Sequence, residues 1–356
     1  MEAIAFALGL LLLVLVFWDV FETVIVPRPT PGWFRIGRYV VRWSWAALRA
    51  LHDGRPERSY DRVFGLFAPA MAVTFLATWL LALILGYGLI LFALREELQP
   101  VPPDLGTALY FSASSVLTIG YGDIVAVGVP ARIAVVTSAV AGLGTVALVV
   151  TFLFALYGSY QRREIQVVAL EAAAGGPPSA VSLLETYAQL DLVDRLPELF
   201  RDWERWAVEV LDSHVAYPLL NFFRSSHDNL SWISALGTVL DAASLVLTTV
   251  CDVPRGEAKL AKRVGAHLVE DIYNVGFRSG SPSSLDRADF DAACDRLEEA
   301  GYVLEARDTA WPKFKAARAT YAERLEAMAT YLAMPATSWL GDPVALRAPL
   351  HPQDDP

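Results

Sequence analysis

Three apolar stretches dominate the first half of the chain. Residues 3–26, 64–94 and 133–157 are each long enough to cross a hydrocarbon core of about 30 Å at roughly 1.5 Å per residue. The second carries no charge and is interrupted only by Pro69. Residues 104–117, between the second and third, are too short and too polar to span. Between the first and second, Arg35, Arg38, Arg42 and Arg49 recur at helical spacing beside Trp33, Phe34, Val40, Trp43 and Trp45. That pattern predicts an amphipathic helix over 33–51 in the headgroup layer. A voltage sensor also spaces its arginines, but no four-helix sensor precedes this segment.

Past residue 160 the pattern changes. Ala172–Pro178 reads as a break after a helical extension of the third span. Helical periodicity then predicts helices over 180–215, 228–250, 255–277, 285–305 and 308–333, with no alternating strand pattern. The segment 233–250 is apolar enough to raise a fourth span, yet Asp241 sits in its middle and favours a buried core helix. The string Ser225-Ser226-His227-Asp228-Asn229-Leu230-Ser231-Trp232 reads as a helix N-cap, with a proton- or ligand-sensing role for His227 and Asp228 as the alternative. Residues 335–356, rich in Pro and Asp, predict a mobile tail.

Composition fits this division. The chain has 356 residues, 54% of them hydrophobic, and a mean hydropathy of +0.39, too apolar for an ordinary soluble domain. Residues 1–163 hold 12 Arg against 10 acidic residues, whereas 164–356 hold 17 basic against 29 acidic. A near-neutral apolar half joined to an acidic half reads as a membrane domain plus a water-exposed one, and disfavours nucleic acid as a partner. Eight arginines between the first two spans and two after the third place 28–62 and the C-terminal half in the cytoplasm and the N-terminus outside. The first span opens Met1-Glu2-Ala3 and ends without a small-residue cleavage site, so it is expected to be retained. Asp19 and Glu22, one turn apart near its inner end, call for arginine partners or interfacial water, or form a cation or proton site.

The chemistry concentrates in Thr118-Ile119-Gly120-Tyr121-Gly122-Asp123, which follows a short helix and lies between two apolar ones. Non-helical backbone at membrane depth is tolerated only where it lines a cavity. Carbonyls aimed at one axis need backbone of alternating hand, which Gly120 and Gly122 permit. The segment resembles the selectivity filter of the potassium channel pore-domain family, whose usual form is T-V-G-Y-G-D, and the resemblance covers roughly residues 64–158.

The resemblance implies an all-α membrane protein: a tetrameric pore domain, one filter per chain, with an all-α cytoplasmic C-terminal domain. It implies K+ held at Thr118, Ile119, Gly120 and Tyr121, with no other cofactor. Asp104–Leu117 would be the pore helix, its negative end toward the cavity. Tyr110, Phe111 and Ser114 would support the filter. Leu117, Gly142, Leu143, Val146, Val150 and Phe154 would line the pore or gate it. Gly142 matches a hinge glycine or a close-packing point, Phe154 is a candidate hydrophobic constriction, and Arg132 matches a basic residue at the inner helix's outer start. Two departures are Ser114, where proton-gated members carry Glu, and Leu117, where many carry Thr.

The expected organisation is an N-terminal transmembrane helix at 1–27, a basic interfacial segment at 28–62, a pore domain at 63–160, a helical cytoplasmic domain at 161–334 and a flexible tail at 335–356. The expected function is passive, selective conduction of K+ by a homotetramer in a bacterial plasma membrane. The sequence leaves the gating stimulus, and a small ligand or protein partner for the cytoplasmic domain, open. Alternatives are a rarely conducting sensor or scaffold and a weakly selective cation pore. No signature of an enzyme stands out. The carboxylates Asp286, Asp289, Asp291, Asp295, Glu298 and Glu299 lack the ligand order of a calcium loop and read as a solvated helix face. His214 and His267 read as structural and not as metal ligands, Trp203, Trp206, Trp232 and Trp311 read as core, and Cys251 and Cys294 suit a reducing compartment.

Overall fold

The computed structural model describes residues 2–26, 36–52, 63–227, 230–276, 285–335 and 337–342. It divides between Tyr157 and Gly158 into two units, each with its own packing.

In the first unit, α1 (Glu2–Val20) continues as a π-helical turn over Phe21–Ile25. It lies against α3 (Phe67–Ala93) through Gly9, Leu13, Val16, Asp19 and Val20, a stripe at helical spacing. The glycines set that contact. A Cβ on Gly9 would come within 2.6 Å of the Gly86 carbonyl, and one on Gly86 within 2.7 Å of Leu13. Small residues admit this approach where lipid supplies no hydrophobic drive between helices. Asp19 is buried and accepts a hydrogen bond from the Trp79 indole at 2.8 Å, a partner type that charge reasoning alone does not suggest. Pro69 sits in the first turn of α3, where its missing N–H breaks no helical bond, and the helix runs on.

The amphipathic segment forms α2 (Ile36–His52), which rests on the start of α3 through Trp45 against Phe64 and Phe67. Its exposed side presents Tyr39, Trp43 and Leu51, at steps of four and eight residues. Trp33, Phe34 and Arg35, and the side chain of Arg38, lie outside the described residues. The short helix is α4 (Leu105–Val116), capped by Asp104, whose carboxylate accepts from the Thr107 N–H at 2.8 Å. Helix α5 (Val129–Ala174) begins as the third span and extends into the second unit. Two short strands, β1 (Leu98–Gln99) and β2 (Val125–Ala126), pair antiparallel, a feature the periodicity does not announce. Three helices, Glu2–Ile25, Phe67–Ala93 and Val129–Ala174, are long and apolar enough to cross a membrane among the described residues. The chain is an all-α, multi-pass membrane protein.

The second unit gathers around α8 (Trp232–Thr248), contacted by α6 (Ala180–Gln189), α7 (Leu196–Ala216), α9 (Gly256–Gly276), α11 (Arg307–Arg318) and α12 (Ala322–Leu332). Every residue of α8 except Leu247 is buried. Asp241 meets Arg318 at 3.1 Å and the Tyr321 hydroxyl at 2.6 Å, so 233–250 is a core helix, as the central carboxylate indicated. The remaining helix, α10 (Arg287–Glu299), packs on α6. Trp203, Trp206 and Trp232 are buried in this core and Trp311 packs against it.

Several sequence expectations need correction. The helix expected over 180–215 is two, because Asp191 adopts φ +55° and a 3-10 turn at Val193–Arg195 redirects the chain. The helix expected over 308–333 is also two, α11 and α12, separated at Ala319–Tyr321. That expected over 285–305 ends at Glu299, before Gly301 at φ +98°. The N-cap read in the string 225–232 is present, and its capping residue is Ser231, in a reciprocal capping box with Ser234; Asp228 and Asn229 lie outside the described residues. The break at 172–178 is a packed turn, since Ala174 and Ala180 are both in the core.

The tail is the largest correction. Residues 337–342 form a docked strap. The Leu340 carbonyl accepts from Ser179 Oγ at 2.8 Å and Arg296 Nη1 at 2.7 Å, and the Trp339 indole donates to the Asp289 carbonyl at 3.0 Å. Residues 343–356 lie outside the described part.

Candidate functional site

The site is the turn between α4 and α5. Thr118 has φ +54°, Gly120 φ +66° and Gly122 φ +79°, while Ile119 and Tyr121 keep negative φ. Positive φ at every second residue turns successive peptide planes by alternate hands, so the carbonyls share one side of the strand. A Cβ at Gly120 or Gly122 would meet nothing within 4 Å. The glycines are therefore required by backbone conformation and not by crowding. Thr118 is the feature that sequence reasoning missed. A β-branched residue at positive φ costs about 1–3 kcal/mol and persists only where its surroundings hold it.

Those surroundings are the end of α4. Thr118 N–H donates to the Ser115 carbonyl at 3.0 Å, and Ile119 N–H to the Ser114 carbonyl at 2.8 Å. Gly120 N–H reaches the Ser114 hydroxyl at 3.2 Å, so Ser114 holds two successive filter amides. Tyr110 stacks on Tyr121 with ring centroids 6.2 Å apart and planes inclined by 7°, and its hydroxyl hydrogen-bonds Asp123. One aromatic side chain thus braces both Tyr121 and Asp123. Phe111 is buried, as is Ser114.

Neighbouring elements fix α4 in turn. Ser112 Oγ donates to the Ile84 carbonyl of α3 at 2.8 Å, and a Cβ on Gly88 would fall 2.5 Å from Leu109. Gly142 of α5 is closer still, since a Cβ there would stand 1.9 Å from the Val116 carbonyl oxygen. Of the two readings of Gly142, the geometry displays close packing against the pore helix. On the other rim, Glu97 accepts from the Ala131 N–H at 3.0 Å, capping the first turn of α5, and its carbonyl accepts from Val127 at 2.9 Å. Arg132 donates to the Ala126 carbonyl at 3.1 Å. Glu97 carries no local sequence signal, because the helix end it caps lies 34 residues away.

The candidate pore-lining residues share a surface. Along α5, Ile133, Val136, Val140, Leu143, Val150 and Phe154 are exposed at alternating spacings of three and four, broken only by the longer step past Ala147. Val146 is partly turned away at 37% exposure, while Phe154 is 76% exposed. Leu117 follows the pore helix as its C-cap and is also exposed. Ile119 and Tyr121 of the turn are exposed as well, so the turn and α5 both present open surface in a single chain.

No group of three or more His, Cys, Asp or Glu able to hold a metal occurs among the described residues. The carboxylates of α10 serve as a cap and as arginine partners: Asp286 with Asp289 at the N-terminus, Asp291 with Arg287, and Asp295 and Glu298 with Arg307.

Residues 79–158 match a family model described as an ion channel. The match takes in most of α3, all of α4, the turn at 118–123 and the apolar part of α5. It leaves out α1, α2 and nearly all of the second unit. No curated protein and no solved structure matches the chain. Over residues 79–158 the chain is thus similar to an ion-channel family.

Proposed function

We propose that the chain is one subunit of a homotetrameric, potassium-selective channel. The observation that carries this is the alternation of positive φ at Thr118, Gly120 and Gly122 within Thr-Ile-Gly-Tyr-Gly-Asp. K+ sheds water where oxygens replace its hydration shell. Carbonyls of Thr118, Ile119, Gly120 and Tyr121, with the Thr118 hydroxyl innermost, supply such oxygens when four chains bring them to one axis. Conduction is then passive and in single file. One chain has one such segment and one exposed wall, which is why fourfold closure is required. The C-terminal half of α4 lends a partial negative charge to the cavity side.

By the arginine bias, 28–62 and the second unit are cytoplasmic, in a plasma membrane. Phe154 would then lie toward the inner end of α5 and serve as a hydrophobic constriction that closes by dewetting. Gating would act through the helical C-terminal domain, which continues from α5 without a chain break.

The test is the reversal potential of the purified protein in a planar bilayer, with K+ on one side and Na+ on the other. A value near the potassium equilibrium potential supports the reading. A value near zero from an open pore replaces it with a weakly selective cation channel. Absence of current, also in a truncation ending near Arg163, favours a non-conducting sensor or scaffold. Phe154→Ala should raise open probability, and an unchanged value removes the constriction.

A further inference from the structure

Past its apolar stretch, α5 buries a residue that is normally solvated. Arg163 is 2% exposed. Its Nε and Nη2 donate to Glu164 Oε1 at 3.0 and 2.8 Å, and Nη2 also donates to the Phe223 carbonyl at 2.8 Å. Its Nη1 donates to the Leu220 carbonyl at 3.1 Å and lies 3.1 Å from His214 Nε2. The guanidinium also faces the rings of Tyr160 and Trp232, 5.4 and 5.9 Å from their centroids. The Trp206 indole donates to the Arg163 carbonyl at 3.0 Å. All of these groups belong to the second unit.

Arginine has only donors, so His214 Nε2 must be the bare, accepting nitrogen. The ring proton then sits on Nδ1, which bonds the Val210 backbone and lies 3.2 Å from Ser213 Oγ. The contact therefore exists only with a neutral imidazole of one tautomer. A proton on Nε2 would set two donors and two positive charges against each other in a buried place.

We propose that the His214–Arg163 contact is an acid-released clasp: a fall in pH on the side of the second unit frees the end of α5 and alters channel opening. The gating half rests on the channel reading above; the clasp itself does not.

The sign follows from linkage. Burial, and after it the charge of Arg163, hold His214 well below its ordinary value of 6.5, against a smaller opposing effect of the Val210 bond. In a released state where water reaches the ring, the ordinary value returns. Between those two values the released state binds more protons. Acidification therefore favours release from about pH 6.5 downward, by up to about tenfold per pH unit, and stops adding once the clasped ring itself titrates. Above neutrality the clasp is insensitive to pH.

The groups around the ring support this direction. From α5 come Arg163 and Glu164, the latter engaged by Arg163. From α7 come Ser213 and Val210, with Glu209 and Arg162 of α5 lining the adjacent hollow. From α8 comes the uncharged Trp232 ring, 5.2 Å away centroid to centroid. A second histidine contacts α5: His227 Nδ1 lies 2.9 Å from Glu171 Oε2, and both side chains are well exposed.

The test follows backbone-amide protection over 160–174 and 214–223 in the intact protein between roughly pH 7.5 and 5, as protection factors so that intrinsic exchange is removed. Wild type should lose up to about tenfold per unit below pH 6.5. His214→Gln, which keeps an acceptor and cannot titrate, should be flat, and His227→Gln should keep the wild-type loss. Open probability in a bilayer should change over the same range in wild type and not in His214→Gln. The nitrogen shifts of His214 in wild type, which need no variant, should show a bare Nε2 at neutral pH. A protonated Nε2, flat wild-type protection, or an unaltered loss in His214→Gln overturns the clasp. Loss of protection with pH-independent opening overturns its role in gating. Loss of protection in a protein that never conducts overturns the channel reading and supports the clasp alone.

Discussion

At the scale of single residues, three positions separate conformational from steric demand. Gly120 needs its positive φ and has space around it; Gly142 has an ordinary helical backbone and no space. Gly120→Ala should therefore cost roughly 1–2 kcal/mol, confined to the turn. Its thermal midpoint in detergent should move little, while its reversal potential collapses toward zero. Gly142→Ala must push a methyl into the Val116 carbonyl, an overpacking of about 1–3 kcal/mol or more that moves the pore helix, and its midpoint should fall by several degrees. Equal drops in the two variants would refute the distinction. Asp241 makes a third case. It is fully enclosed and holds Arg318 and Tyr321, so Asp241→Ala leaves Arg318, only 13% exposed, without its shortest ion pair and with Glu326 at 3.6 Å. A loss of about 3–5 kcal/mol is expected on breaking such a buried pair, read as a lowered unfolding midpoint of the second unit. A midpoint within a degree of wild type would show that Glu326, already 3.6 Å from Arg318, suffices as its partner.

At the scale of elements, the strap offers the sharpest test. Arg296 holds the Leu340 and Gly341 carbonyls at 2.7 and 2.9 Å while its other nitrogens engage Glu185. Arg296→Ala should free residues 337–342, and limited proteolysis should cut near Trp339 at least several-fold faster than in wild type. An unchanged rate would mean that Ser179, Ser182 and the Trp339 ring suffice. The strap also marks where sequence reading stops. The spans were legible because a bilayer fixes their length and excludes charge. The filter turn was legible because only glycine takes positive φ freely. The breaks at Asp191 and at Ala319–Tyr321 were not, since neither carries Pro or Gly; the helices that flank them, α6, α7, α11 and α12, all contact α8. Thr118 at positive φ runs against its own propensity. The strap's partners lie 161 residues away at Ser179 and 44 away at Arg296, distances over which no local pattern operates. Polar composition suggested mobility, whereas backbone carbonyls, present in any sequence, are what the strap uses to dock.

At the scale of the whole molecule, the exposed wall of α5 poses the remaining physical question. Leu143, Val150 and Phe154 project from it at 46–76% exposure, on the same helix that presses Gly142 against the pore helix. Lipid could cover an apolar stripe of this kind. It could not cover the filter beside it, where the Thr118–Asp123 backbone is open and its carbonyls would be left without partners in hydrocarbon, at several kcal/mol each. That cost is removed when ions and further copies of the same turn fill the space, so the filter and not the apolar stripe drives closed assembly. The helix α1 does not compete for this wall, because its own buried stripe is spent on α3 through Gly9 and Gly86. The expected outcome is a ladder of cross-linked species that ends at four copies when the protein is treated with a short amine- or cysteine-reactive linker in mild detergent. Tyr121→Asp, which removes the Tyr110 stack and places a charge at the turn, should weaken the top band. Gly86→Leu, which disturbs only the α1 contact, should leave it in place while loosening α1. A ladder ending at two would overturn fourfold closure. A ladder of four lost in Gly86→Leu would move the assembly surface from the filter side of α5 to the α1 side of α3.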